Sequence, residues 1–146
     1  MAERRLGLIM HGVTGRMGYN QHLVRSILAI REQGGVTLSN GDRLVVDPII
    51  VGRDRDKIQR LAEKHHIPRW STDLEAALSN PDDEVFFDAG TTQMRASLLG
   101  RAIDAGKHVY CEKPVSDDLH SATALAKKAK SAGIKHGVVQ DKLFLP

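Results

Sequence analysis

The sequence predicts a doubly wound α/β fold: a single domain built on one mostly parallel six-stranded sheet with helices on both faces. Two observations carry this expectation. Apolar runs of strand length alternate with segments whose apolar residues recur at helical spacing, the order that builds a parallel sheet between two helix layers. The first of these runs leads into three glycines spaced by three, Gly12, Gly15 and Gly18, and then into a helix. With 146 residues the chain fits one domain able to bury a real core.

The elements follow in order. Residues 6–10 form the first buried strand. A helix is predicted over 16–33, with Leu23, Ile27 and Ile30, and beside them Val24 and Leu28, on its apolar face. Gly34-Gly35 ends it. Asn40-Gly41 between two β-rich segments signals a small hairpin before the second strand. Pro48 must sit at a strand's start or at an edge, so that strand is placed at 49–52. Asp54 is suited to cap the next helix, where Ile58, Leu61, Ala62 and His65 share a face. Thr72 and Glu75 have the spacing of a capping box for a short helix carrying Leu74, Ala77 and Leu78. A turn at 80–83 precedes the strand "EVFFDAG". Met94, Leu98, Ala102 and Ala105 mark a helix closed by Gly106. "KHVYCEKP" is a strand that stops at Pro114. Ser116 or Asp117 opens a helix bearing Leu119, Ala122, Ala126 and Ala129, and "KHGVVQ" is the last strand.

Composition excludes several classes. A net charge of +3 suits an anionic ligand, but the Lys and Arg residues are scattered rather than clustered, so no nucleic-acid partner is expected. One cysteine, Cys111, excludes an intramolecular disulfide and a Cys-rich metal site, and fits a reducing, cytoplasmic setting. No apolar run approaches the roughly 20 residues needed to span a bilayer, so no membrane partner is expected. His65-His66 falls at a helix end, and two histidines without a carboxylate or cysteine ligand do not make up a metal site, so none is expected there.

The glycines have a physical reading. Gly12 permits a tight turn out of the strand, Gly15 removes a side chain where backbone passes a pyrophosphate, and Gly18 lets the helix pack close to the sheet. Thr14, Arg16 and Met17 fill the positions between. The helix N-terminus offers unpaired N–H groups to the phosphates. The spacing G-x-x-G-x-x-G makes this loop one residue longer than the common dinucleotide loop. Arg16 is either a further cation for phosphate or an exposed helix-start residue. At the end of the second strand, where the adenosine ribose is read, "VGRDRDKI" supplies Arg53 and Asp54. A guanidinium there grips a 2′-phosphate, so NADP is preferred over NAD, with Asp54 either a ribose ligand or a cap. His11 either touches cofactor or packs at the strand end. Trp70 belongs to the core or an interface, and Cys111 to a buried strand.

"AGKHVYCEKP", with the glycine loop and "VGRDRDKI", resembles the Gfo/Idh/MocA oxidoreductases, the group named for glucose–fructose oxidoreductase and inositol dehydrogenase. The resemblance covers nearly the whole chain. It implies a Rossmann-type domain binding NAD or NADP, in an enzyme acting on a hydroxyl of a sugar, cyclitol or related polyol. It implies that Lys113, before Pro114, lies near the nicotinamide and the reacting hydroxyl, and that Glu112 contacts the nicotinamide-side ribose region. Cofactor contacts from "DAGTTQMR" fall to Thr91 or Thr92, since Gln93 and Met94 depart from the family's usual pattern. Family members continue into a second, substrate-binding domain that also supplies the oligomer interface. The expectation is therefore an isolated cofactor domain at residues 1–146, inactive alone, prone to homo-oligomerise through its uncovered sheet and the apolar "KLFLP". Two other readings stand beside this one: a non-catalytic dinucleotide-sensing module, and a dihydrodipicolinate-reductase-like enzyme, suggested by "GRMG".

Overall fold

The computed structural model describes residues 2–140 and 142. Among the described residues seven strands, β1 (Glu3–His11), β2 (Val36–Thr37), β3 (Arg43–Val51), β4 (Trp70–Ser71), β5 (Asp83–Asp88), β6 (His108–Cys111) and β7 (His136–Val138), form one sheet. Its order is β2-β3-β1-β5-β6-β7, with β4 also paired to β3. All pairings are parallel except β2 with β3. The predicted architecture holds. That path holds the predicted six strands; the seventh, β4, is a two-residue piece beside β3.

The helices are α1 (π-wound over Gly18–Leu28, then α-helical over Ala29–Glu32), α2 (Arg55–Lys64), α3 (Leu74–Ser79), α4 (Thr92–Asp104) and α5 (Leu119–Ser131). Strand alternation sends successive residues to opposite faces. Leu8, Met10, Val46, Ile50 and Phe87 meet Leu23 of α1 and Ile58 and Ala62 of α2. Ile9, Phe86, Val109 and Cys111 meet Ala77 and Leu78 of α3, Leu98 and Ala102 of α4, and Ala129 of α5. Full burial of a side chain such as Phe86 or Leu23 stabilises by about 1.5–3 kcal/mol.

Several sequence expectations shift. β3 starts at Arg43 rather than 49, with Pro48 inside it. The strand tolerates the proline because of where its missing N–H falls. Ile50 and Gly52 donate outward, to the carbonyls of Arg69 and Ser71 in the β4 segment, and Pro48 shares their parity. Its outer flank lies between the stretches paired to β2 and β4, so no ladder bond is lost. The predicted hairpin is β2 returning into β3, with Gly41 at φ 85°.

Asp73, not Thr72, caps α3, accepting from the Ala76 N–H at 3.0 Å. Asp118, not Ser116 or Asp117, caps α5, accepting from Ser121 N–H at 2.7 Å, while the Ser116 hydroxyl accepts from Asp118 N–H. Leu119, expected on the apolar face, is 83% exposed because it opens the helix beyond the sheet's cover. Met94 is likewise exposed, and Arg95 takes the buried position beside Leu98 and Leu99. Trp70 is half-buried under the Arg55 guanidinium. His65 ends α2 and hydrogen-bonds the Tyr19 hydroxyl; burial, then the neighbouring Lys64 charge, lowers its pKa. No described helix is long and apolar enough to cross a membrane. Apart from Lys142, the apolar tail singled out in the sequence lies outside the described residues.

Candidate functional site

Strand β1 lies at the centre of the sheet. The chain leaves it toward β3 on one side, and β5 flanks it on the other. Such a reversal opens a crevice at the carboxyl ends of the strands, where open α/β sheets bind ligands. A cleft of about 420 Å³ occupies that place. The end of β1 supplies His11 and the loop after it Gly12, Thr14, Gly15, Arg16 and Met17; the end of β3 and the residues after it supply Val51, Gly52 and Arg53; the β5 loop supplies Ala89, Gly90 and Thr91, and α4 supplies Met94.

The three glycines divide their work. Gly12 has φ 79°, and a Cβ there would collide with the backbone of Ala89 and Gly90, so the β1 and β5 loops meet across it. At Gly18 a Cβ would collide with the Gly12 carbonyl, where the first turn of α1 folds onto the loop. Gly15 differs. Its nearest neighbour to an added Cβ is the Gly12 carbonyl oxygen at 3.5 Å, an ordinary contact. Protein packing makes no demand for glycine at 15; open backbone lining a cleft does. Arg16 and Arg53 line the same cleft, whose open backbone at Gly15 could hold a diphosphate.

Of the predicted residues, the cleft gathers Gly12, Thr14, Gly15, Arg16, Met17, Arg53 and Thr91. Gly18 lies beneath it. Asp54 stands aside: its carboxylate caps α2, accepting from Lys57 N–H at 3.1 Å, and that bond lowers its pKa. Thr92 begins α4. Glu112, Lys113 and Pro114 follow β6 on the neighbouring loop, and the Lys113–Pro114 bond is cis.

Two buried networks tie these loops together, and sequence reasoning missed both. In the first, Asp88 at the end of β5 receives His11 Nδ1 at 2.7 Å, Arg95 Nε at 2.8 Å and the Gly90 N–H at 3.0 Å. Arg95 also donates to the carbonyls of Pro114 and Gly90. Burial alone would raise the Asp88 pKa; the hydrogen bonds from His11, Arg95 and Gly90 outweigh it and hold the carboxyl below its ordinary range. Because an ionised carboxylate only accepts, His11 carries its proton on Nδ1.

In the second network, His22 of α1 donates through Nε2 to Glu112 Oε1 at 2.5 Å, with its ring 4.6 Å from that of Phe87. The other carboxylate oxygen accepts from Lys113 N–H at 3.1 Å. Lys113 Nζ stands 3.6 Å from the same oxygen. Burial pushes the Glu112 carboxyl up, and the bonds from His22 and Lys113 bring it below its ordinary value.

The fold and cleft define a dinucleotide-binding α/β domain. Residues 11–139 match the family described as "Oxidoreductase family, NAD-binding Rossmann fold", the Gfo/Idh/MocA group, and this chain belongs to it. A D-xylose dehydrogenase of Paenarthrobacter nicotinovorans is 51% identical over 137 residues, covering 94% of this chain and 35% of the relative. Among solved structures, a levoglucosan dehydrogenase in complex with NADH and levoglucosan aligns at TM-score 0.74 and 22% identity, covering 92% of this chain and 35% of that one. A 3-ketoreductase from Actinomadura kijaniata, in complex with NADP and TDP-benzene, aligns at TM-score 0.64 and 23% identity, covering 89% and 35%. At those identities the structural likenesses show the fold alone. The chain spans about a third of the length of these relatives.

Proposed function

We propose that this chain is the cofactor domain, residues 1–146, of an oxidoreductase that prefers NADP and acts on a hydroxyl of a sugar, cyclitol or related polyol. The observation that carries the cofactor preference is the contrast at the end of β3. Arg53 lines the cleft, whereas the Asp54 carboxylate is spent on the α2 cap. A ribose with free hydroxyls is best met by a carboxylate, and a 2′-phosphate by a guanidinium. The substrate class is supported by membership in the family and by the D-xylose dehydrogenase relative.

In this reading the loop from Gly12 to Gly18 holds the diphosphate against the start of α1. Arg16 adds a cation at its rim, Thr91 and Thr92 meet the cofactor from the β5 loop, and Glu112 holds the backbone that carries Lys113. The nicotinamide ring supplies the hydride chemistry when bound. Lys113 Nζ donates a hydrogen bond to the substrate hydroxyl and is the catalytic residue this domain contributes. Tyr110, 44% exposed and lining an apolar cavity with Leu8, Val85 and Phe87, supports a homo-oligomer.

Titration of the folded chain with NADPH and NADH, followed by nicotinamide fluorescence, tests the proposal. Tighter binding of NADPH is expected. NADH binding as tightly reverses the preference, and binding of neither removes the dinucleotide reading.

A further inference from the structure

We propose that Arg95 is a positioning residue for Lys113, acting through the carbonyl oxygen of Pro114; the inference rests on the reading that Lys113 faces the nicotinamide half of the cofactor. Arg95 lies within the apolar stripe of α4 and is only 2% exposed. A buried guanidinium is costly unless its N–H groups are bonded and its charge is matched. Here Nε meets Asp88 Oδ2 at 2.8 Å, Nη2 meets the Gly90 carbonyl at 2.6 Å, and Nη1 meets the Pro114 carbonyl at 2.5 Å. The partner carboxylate reaches on to His11 at the end of β1. One buried charge pair therefore fastens the three strand ends, β1, β5 and β6, whose loops border the cofactor cleft.

A buried ion pair is often no more stabilising than well-packed apolar side chains. What an apolar replacement cannot supply is three donors aimed at three different chain segments. The backbone around Lys113 is bracketed as a result. Its own N–H donates to Glu112 Oε2 at 3.1 Å, and the next residue's carbonyl accepts from Arg95. Lysine at position 95 would keep the charge beside Asp88 but lacks the planar fork, so it cannot serve Gly90 and Pro114 together.

The test uses two ligands that differ only in the nicotinamide ring: NADPH, and 2′-phospho-ADP-ribose, which ends at the ribose that would carry that ring. In the 146-residue chain, Arg95→Lys is expected to weaken NADPH about tenfold. Affinity for 2′-phospho-ADP-ribose should stay within about twofold, as expected when the adenosine side is untouched. In a Lys113→Met background the same substitution should have no further effect on NADPH, because the two residues act in series. The double variant Asp88→Asn with Arg95→Gln, which removes both charges and the reach to Pro114, should reproduce the pattern if Arg95→Lys folds poorly. Equal loss of both ligands, or additive losses with Lys113→Met, overturns the positioning role. Wild-type chain that binds neither ligand overturns the dinucleotide reading itself, a separate result.

Discussion

His22 Nε2 lies 2.5 Å from Glu112 Oε1, joining the helix behind the glycine loop to the strand end that carries Lys113, 90 residues away in sequence. The contact makes the site sensitive to acid. The folded Glu112 has a pKa below its ordinary 4.5, and Asp88 one below its ordinary 3.8. A carboxyl depressed by folding stabilises the fold fully above its ordinary value, and that stability is lost as pH falls through the folded value. The urea midpoint is therefore expected to drop as pH falls below 4.5, and Glu112→Gln should make the drop shallower. Parallel curves for the two proteins would count against this account.

Gly15→Ala and Gly18→Ala should separate ligand binding from folding. At Gly15 the added methyl has room within the protein and none beside a diphosphate, so the variant should melt with wild-type and lose dinucleotide affinity about tenfold, roughly 1.4 kcal/mol. At Gly18 the methyl strikes the Gly12 carbonyl, and overpacking of that kind costs about 1–3 kcal/mol. Thermal melts paired with fluorescence titrations read both effects.

Arg53→Ala should act on one cofactor only. Loss of a charge-assisted hydrogen bond to phosphate costs about 1.5–3 kcal/mol, so NADPH should weaken by about 10- to 100-fold. NADH, with no 2′-phosphate, should change by less than about twofold. Equal losses would place Arg53 away from the adenosine ribose.

Cys111 should be inert in the native state. It is 1% exposed, and burial pushes its thiol up to about 11. Only the thiolate reacts with disulfide reagents. Ellman's reagent should modify it slowly in buffer and rapidly in denaturant, and fast native labelling would show that β6 opens.

What the sequence made legible follows from local chemistry. The strand–glycine–helix order and the Asp54 cap each depend on neighbouring residues, and each was found, whereas the strand expected to run to Pro114 ends at Cys111, ahead of the loop that carries Glu112 and Lys113. Arg95 was hidden because a lone arginine on a helix ordinarily faces water. One signal was available: it shares a stripe with Leu98, Leu99 and Ala102, and a cation on an apolar stripe needs a buried counter-charge, which Asp88 in "EVFFDAG" supplies. The His22–Glu112 pair was beyond such reasoning. Its partners meet only through tertiary packing, and the π-wound turns of α1 displace side chains from the faces that ordinary helical spacing assigns. The caps of α3 and α5 moved by one or two residues because several adjacent Asp, Ser and Thr side chains can all accept from the first turn, and tertiary fit selects among them.

Pro48 has a consequence for how these molecules behave in a crowd. Among the described residues no strand pairs with the outward flank of β3 between its short partners, and an open strand border is the kind onto which a foreign chain can zip and seed a fibril. Pro48, within that border, offers an invader no N–H to pair with. The residue that looked like an obstacle to a strand is thus a guard on its open side, keeping the sheet from recruiting an eighth member from a stranger.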